Sequence, residues 1–268
     1  LYSSAASDVY KRQALAEAVG VPTFTVGRHD VGTVTIQALA DARDHSRPVV
    51  LAIPYDLSAE LIGERGEIIP AIPDRATPPQ GNASVLRDIA SQLATAERPL
   101  ILAGRGALEA RADLRGLAET LGADVATTVP TQGYFHAFQD RRPNYRDLGI
   151  CGGFAAPVAA EEIRGADVVL VVGAGLNQFT MAHGHAFGDT ARVIQIDLAG
   201  EPTNPRVNLS CRSDAALAIR AIREELRQSG VGGRRARTVP TDAEAQRRPA
   251  GDEVAPDGLL DPRRVMSR

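Results

Sequence analysis

Two glycine turns carry the spacing closest to a binding signature. Gly104-Arg105-Gly106 follows the apolar run Leu100–Ala103, and Gly173-Ala174-Gly175 follows Asp167–Val172. Glycine at such a turn lets backbone N–H groups approach a diphosphate, and a helix starting there favours its negative charge. The first turn lacks the third glycine of the dinucleotide fingerprint. Asp124, at roughly the distance where a ribose-binding acid would lie, precedes a strand instead of ending one. The second turn is followed, 22 residues after Gly175, by Asp197 at the end of another apolar run. That carboxylate could accept from a ribose hydroxyl. Equally, Gly173 and Gly175 could serve only a tight turn and Asp197 only a loop.

Other reactive types form no constellation. His183 and His185 are two apart and would not share a helix face. No Cys or carboxylate pattern completes a metal site with them or with His136. No Ser-His-Asp order and no nucleophile-elbow pentapeptide occurs. Cys151 sits among glycines ahead of a helix, a setting that can depress a thiol pKa, but a packed thiol is the expectation. Cys151 and Cys211 make no disulfide framework and are expected reduced. No catalytic residue and no metal ligand is therefore assigned.

The elements that would position the glycine turns alternate between strand and helix. Ala14–Gly20 reads as a helix end, Pro22–Val26 as a short strand and Val31–Asp44 as a helix. Pro48–Ile53 is a continuous apolar run, the kind buried on both faces of a parallel sheet. Residues 58–82, with four prolines and three glycines, read as a linker. A second unit spans 83–227. Its helices are expected from Ser84 as N-cap to Ala96, over Leu108–Leu121 with Gly122 as stop, over Phe154–Arg164 and over Asp214–Arg227. Its strands are Leu100–Ala103, Val125–Val129, Asp167–Val172, Arg192–Ile196 and Val207–Ser210. Residues 130–152 read as a long irregular loop. This alternation predicts an α/β fold, a doubly wound parallel sheet. Residues 228–256 read as a second, solvated linker that includes the arginine run Arg234–Arg237, and 257–268 as the start of a third unit.

The chain has 268 residues, 44 % of them apolar, and a formal charge of −3. Neither nucleic acid nor an anionic membrane is an expected partner. No apolar run approaches the roughly 18 residues of a membrane span, and no secretory signal is present; a cytoplasmic location is expected. Of 30 basic residues only Lys11 is lysine, a bias that suggests a GC-rich genome. Lys11 lies in Leu1–Gln13, which resembles a translated sequencing adapter and is set aside from fold reasoning.

Several stretches in one order resemble acetolactate-synthase-like thiamine-diphosphate enzymes. Arg47–Asp56, ending Ile-Pro-Tyr-Asp, resembles the closing strand of their pyrimidine-binding domain, so 14–57 would be its C-terminal part. Ala96–Gly106 is similar to the opening of their central domain. Leu117–Glu119, Val125–Thr128, Gly133, Leu148-Gly149, Gly152-Gly153, Ala166–Gly173 and Arg192–Asp197 continue the match. Asp257-Gly258 through Val265 resembles the start of the diphosphate-binding domain.

The resemblance implies a three-domain subunit working as a homodimer or homotetramer. It implies thiamine diphosphate and Mg2+ held between the first domain of one subunit and the third of another, and a 2-oxo acid or aldehyde substrate. The activating glutamate and the metal-holding Gly-Asp-Gly motif of the family would lie outside this stretch, so the chain is expected to be a fragment of a decarboxylase or carboligase, inactive alone. The central domain binds FAD in some relatives and ADP or nothing in others. By resemblance, flavin contacts would fall at Gly104, Gly106, Thr128, Gly149, Gly173, Ala174 and Asp197, with Asp214 near the adenosine end. Where flavin-binding relatives usually carry an arginine, this chain has Gly175 followed by Leu176-Asn177. A stand-alone module binding FAD, ADP or NAD without catalysis is the alternative.

Overall fold

The computed structural model describes residues 13–45, 47–58, 71, 77–136 and 143–249. The expected third unit and all of the foreign-looking leader but Gln13 lie outside these residues, as does most of the first linker. The chain divides into two compact units, Leu1–Thr77 and Pro78–Arg268.

The first unit holds β1 (Thr23–Thr25), α1 (Val31–His45), β2 (Val50–Ala52) and the single turn α2 (Tyr55–Ser58). β1 and β2 pair in parallel, Thr23 opposite Val50. The expectation that the Pro48–Ile53 run is buried on both faces is not met. β2 is at best half-buried, and Ile53 is 58 % exposed. Two strands and the described helices of this unit do not cover both faces, which a parallel sheet requires.

The second unit is built on six parallel strands: β3 (Pro99–Ala103), β4 (Asp124–Thr127), β5 (Arg146–Ile150), β6 (Val168–Val172), β7 (Arg192–Asp197) and β8 (Leu209–Arg212). Their order across the sheet is β5-β4-β3-β6-β7-β8. The chain therefore winds outward twice from the β3–β6 pair, the expected doubly wound arrangement. Side chains alternate between the faces. Ile101, Ala103, Leu170, Val172 and Ile194 meet the helices α3 (Ala83–Thr95), α4 (Arg111–Leu121) and α6 (Ala215–Gln228) on one side. Leu100, Leu102, Val169, Val171 and Val193 meet α5 (Pro157–Arg164) and the loop after β6 on the other. β3 and β6 are buried along their whole length.

Local signals explain most boundaries. α3 is capped by Asn82, whose side chain accepts from the Ser84 amide, two residues ahead of the expected Ser84. α4 closes on Gly122 at φ +59, where a side chain would be strained.

Two expectations fail along one edge. The supposed irregular stretch contains β5, and the supposed linker, though exposed over most of its described length, is tethered to the second unit as far as Arg248, which donates to Phe154 O. Arg146 is the reason for both. It opens β5 with its side chain 1 % exposed, which no hydrophobic pattern anticipates. Its guanidinium makes two bonds to the Asp124 carboxylate, at 2.8 and 2.6 Å, and a third to Glu162 at 2.6 Å. It also donates to the carbonyls of Val239 and Pro240. Arg237 reaches Glu162 at 2.8 Å instead of solvating a linker. Burial raises the Glu162 pKa, but bonding to Arg146 and the charges of Arg146, Arg237 and Arg98 outweigh it and hold the carboxyl below its usual range. Asn144 anchors the Arg234 carbonyl and the Ala236 amide. The single turn α7 (Asp242–Ala245) buries Ala245 fully, and Gln246 donates to Asp147 O. Residues 231–249 are thus a strap along the edge strand, covering an edge that would otherwise invite foreign pairing.

Hydrogen exchange checks the contrast between the units. Amides of Val168–Val172 should exchange far more slowly than those of Val50–Ala52 in this chain; equal protection would contradict the description. Arg146→Ala should destabilise the second unit by about 3–5 kcal/mol in chemical denaturation, because it removes both hydrogen bonds to the buried Asp124 carboxylate and leaves it only the longer ion pair to Arg237 at 3.6 Å. A loss below about 1 kcal/mol, the range of exposed ion pairs, would show that the network is not structural.

Candidate functional site

Parallel doubly wound sheets present ligands with a crevice at the carboxyl ends of the strands, where the winding reverses. Here that point lies between β3 and β6. Gly104 and Gly106 follow β3, Gly173 and Ala174 follow β6, Thr128 follows β4, and Asp197 ends β7. These six expected residues meet at the reversal. Gly149 lies on β5 and Asp214 follows β8, the two opposite edges of the sheet.

The glycine turns face each other. A Cβ on Gly104 would run into the Gly173 carbonyl and into Ala174, and one on Gly106 would meet the Gly173 Cα at 2.8 Å. Gly173, at φ +56, presses against the Gly106–Ala107 backbone in return. Their amides are engaged as well. Gly104 N–H donates to Val172 O at 3.0 Å, Gly106 N–H to Gly173 O at 2.9 Å and Gly173 N–H to Ile196 O at 2.9 Å. These three glycines thus have their amides bonded within the fold. Their missing side chains let two loops touch, and their N–H groups close the top of the sheet.

The polar residues around them are used in the same way. Thr128 donates its amide to Ala103 O, and its hydroxyl pairs with that of Thr131 at 3.0 Å. Ala174 O accepts from the buried Gln195 side chain, which also holds Thr203. One carboxylate oxygen of Asp197 accepts from the Ala199 amide at 3.0 Å, a loop cap. Asp214 caps α6 through the Leu217 amide. The Gly149 amide bonds to Asp147, whose carboxyl is pushed up by burial. Gly175 stands in open space at the crevice.

His183 and His185 form no metal site, and among the described residues no group of three or more His, Cys, Asp or Glu could hold one. His183 instead packs edge-on against Phe179, in a loop where Ala182 and His183 adopt φ +46 and +55. Cys151 is buried, and burial pushes its thiol up to about 12, the opposite of an activated nucleophile. Sequence reasoning missed Arg146 and its carboxylate partners; the only available signal was an acid at each strand or helix end facing one arginine.

This is an α/β protein of the doubly wound, nucleotide-fold class. Residues 86–222 match the model of the thiamine pyrophosphate enzyme central domain. The chain belongs to the thiamine pyrophosphate enzyme family and carries that domain. It is 31 % identical over 191 residues to pyruvate oxidase of Lactiplantibacillus plantarum, covering 69 % of this chain and 30 % of that protein. Against the large subunit of acetolactate synthase isozyme 1 of Escherichia coli, identity is 25 % over 175 residues, covering 64 % and 30 %. The crystal structure of benzoylformate decarboxylase from Polynucleobacter necessarius superposes with a TM-score of 0.55 at 18 % identity, over 92 % of this chain and 45 % of that one, and supports the fold. The chain thus spans under a third of the length of these two curated relatives.

Gly173→Ala should destabilise the ligand-free protein by about 3 kcal/mol, the upper range for forced overpacking, as read from denaturant midpoints. A variant of unchanged stability would mean the loops do not touch. Cys151 should resist alkylation at pH 8 in the folded chain and react once denaturant is added; rapid labelling of the folded protein would contradict a thiol raised by burial.

Proposed function

We propose that this chain is part of a longer thiamine-diphosphate-dependent enzyme that breaks or forms a carbon–carbon bond next to the carbonyl of a 2-oxo acid. The observation that carries the reading is the extent of the likeness. The pyruvate oxidase alignment runs for 191 residues, more than the 137 residues between 86 and 222 of the central domain itself. A nucleotide-binding module standing alone would share only the domain.

The cofactor, when bound in the longer protein, supplies the electron sink for the carbanion left by the cleaved bond. The donor set here does not fit thiamine diphosphate or its Mg2+: the sequence has no Gly-Asp-Gly motif, and the described residues hold no ligand cluster. No catalytic step is assigned to these residues. Their role is to form a rigid middle domain. We also leave flavin out. The amides of Gly104, Gly106 and Gly173 are engaged within the fold, and Gly175 stands where a cation would face a diphosphate. Assembly as a homodimer or homotetramer is part of the same proposal.

The test is expression of the longer coding sequence. It should release carbon dioxide from, or ligate, a 2-oxo acid only when thiamine diphosphate and Mg2+ are supplied, and it should show no flavin absorbance after reconstitution with FAD. The present chain should turn over nothing. Activity independent of thiamine diphosphate would overturn the enzyme reading; stoichiometric bound flavin would overturn only the flavin-free middle domain.

A further inference from the structure

A cleft of about 420 Å³ opens between α4 and α6, toward the amino end of the sheet where both helices terminate. It is remote in character from the crevice described above, being lined mainly by charge. Arg220, Arg223, Glu224 and Arg227 project into it from α6, with Thr120 of α4 and the Val231-Gly232 turn completing the wall. Positions 220, 223, 224 and 227 follow helical spacing and form one stripe.

The carboxylates present do not balance the guanidinium groups. Arg227 is matched by Glu224, with bonds of 2.8 and 2.6 Å. Bonding to Arg227 and Gln228 holds the Glu224 carboxyl well down, at about 2, so this pair stays ionised. Arg220 and Arg223 share one carboxylate, that of Asp113, at 2.8 and 3.5 Å. Three guanidinium groups and one carboxylate, Glu224, thus line the cleft, and the second carboxylate, Asp113, lies outside its lining.

A second, independent feature fixes one of these cations. Gly116 sits inside α4, where glycine is a poor helix former. A Cβ there would lie 2.7 Å from the Arg223 guanidinium carbon. The bare backbone at Gly116 is what allows Arg223 to lie against the helix, its planar face towards α4 and its edge on Asp113. A planar, oriented guanidinium suits phosphate recognition.

We propose that the α4–α6 cleft is a binding site for a phosphate group, free or borne on a nucleotide, with Arg220 and Arg223 as its principal ligands. The site does not depend on the enzyme reading, and neither of the substitutions below touches the crevice at the strand ends. Titrate the full chain with inorganic phosphate, pyrophosphate and ADP at fixed ionic strength, using calorimetry, and repeat with Arg223→Gln and Gly116→Ala. Pyrophosphate should bind saturably, and each variant should weaken it at least tenfold. Gly116→Ala keeps the test clear of misfolding, since alanine favours the helix: its thermal midpoint should hold or rise while affinity falls. ADP binding more tightly than pyrophosphate, and weakened by Gly116→Ala, would assign a nucleotide source; pyrophosphate binding at least as tightly would assign a free anion. No saturable binding of pyrophosphate, or affinity unchanged in either variant, would overturn the proposal.

Discussion

The contact on which the second unit depends is backbone against backbone. At the reversal of the sheet, the turn after β3 and the turn after β6 lie so close that none of Gly104, Gly106 and Gly173 tolerates a Cβ. The same residues pass hydrogen bonds along the top of the sheet, from Gly104 to Val172 and from Gly173 to Ile196. β3 and β6 can pair in register from Pro99–Val168 to Ala103–Val172 because their following loops pack without side chains. The two halves of the fold, and the two hydrophobic layers on either face, meet through this pair.

The constraint changes what a glycine-rich turn means here. In a doubly wound sheet such turns suggest phosphate binding, because glycine amides can approach an anion. The amides of Gly104, Gly106 and Gly173 have partners within the fold. Charge that could meet a phosphate is concentrated elsewhere, between α4 and α6, where Gly116 has the same property of a missing side chain but leaves a guanidinium, not a backbone, in the vacated space.

Much of this was legible in the sequence. The apolar runs that became β3, β6 and β7 were found to within a residue; β3 and β6 are buried along their whole length and apolar throughout, and β7 sets the apolar Val193, Ile194 and Ile196 around the buried Gln195. Gly122 marked the end of α4 through its left-handed conformation. The edge of the sheet was not legible. β5 begins with Arg-Asp, and only the tertiary pairing of Arg146 with Asp124 and Glu162 makes a buried arginine tolerable. The strap of residues 231–249 is polar in composition, so it reads as a linker; it is held by side-chain bonds to Asn144, Arg146 and Glu162 that no local pattern encodes. The candidate site was legible in position. Spacing placed Gly104, Gly173 and Asp197 correctly at the strand ends, yet cannot say whether an amide faces a ligand or a neighbouring carbonyl.

The most direct measurement is amide hydrogen exchange at Gly104, Gly106 and Gly173 in the ligand-free chain, repeated with FAD and with ADP. The account predicts protection comparable to Val168–Val172 in all three conditions, because the amides are already bonded within the fold. Fast exchange in the free chain that becomes slow on adding either nucleotide would contradict it and return these glycines to phosphate binding.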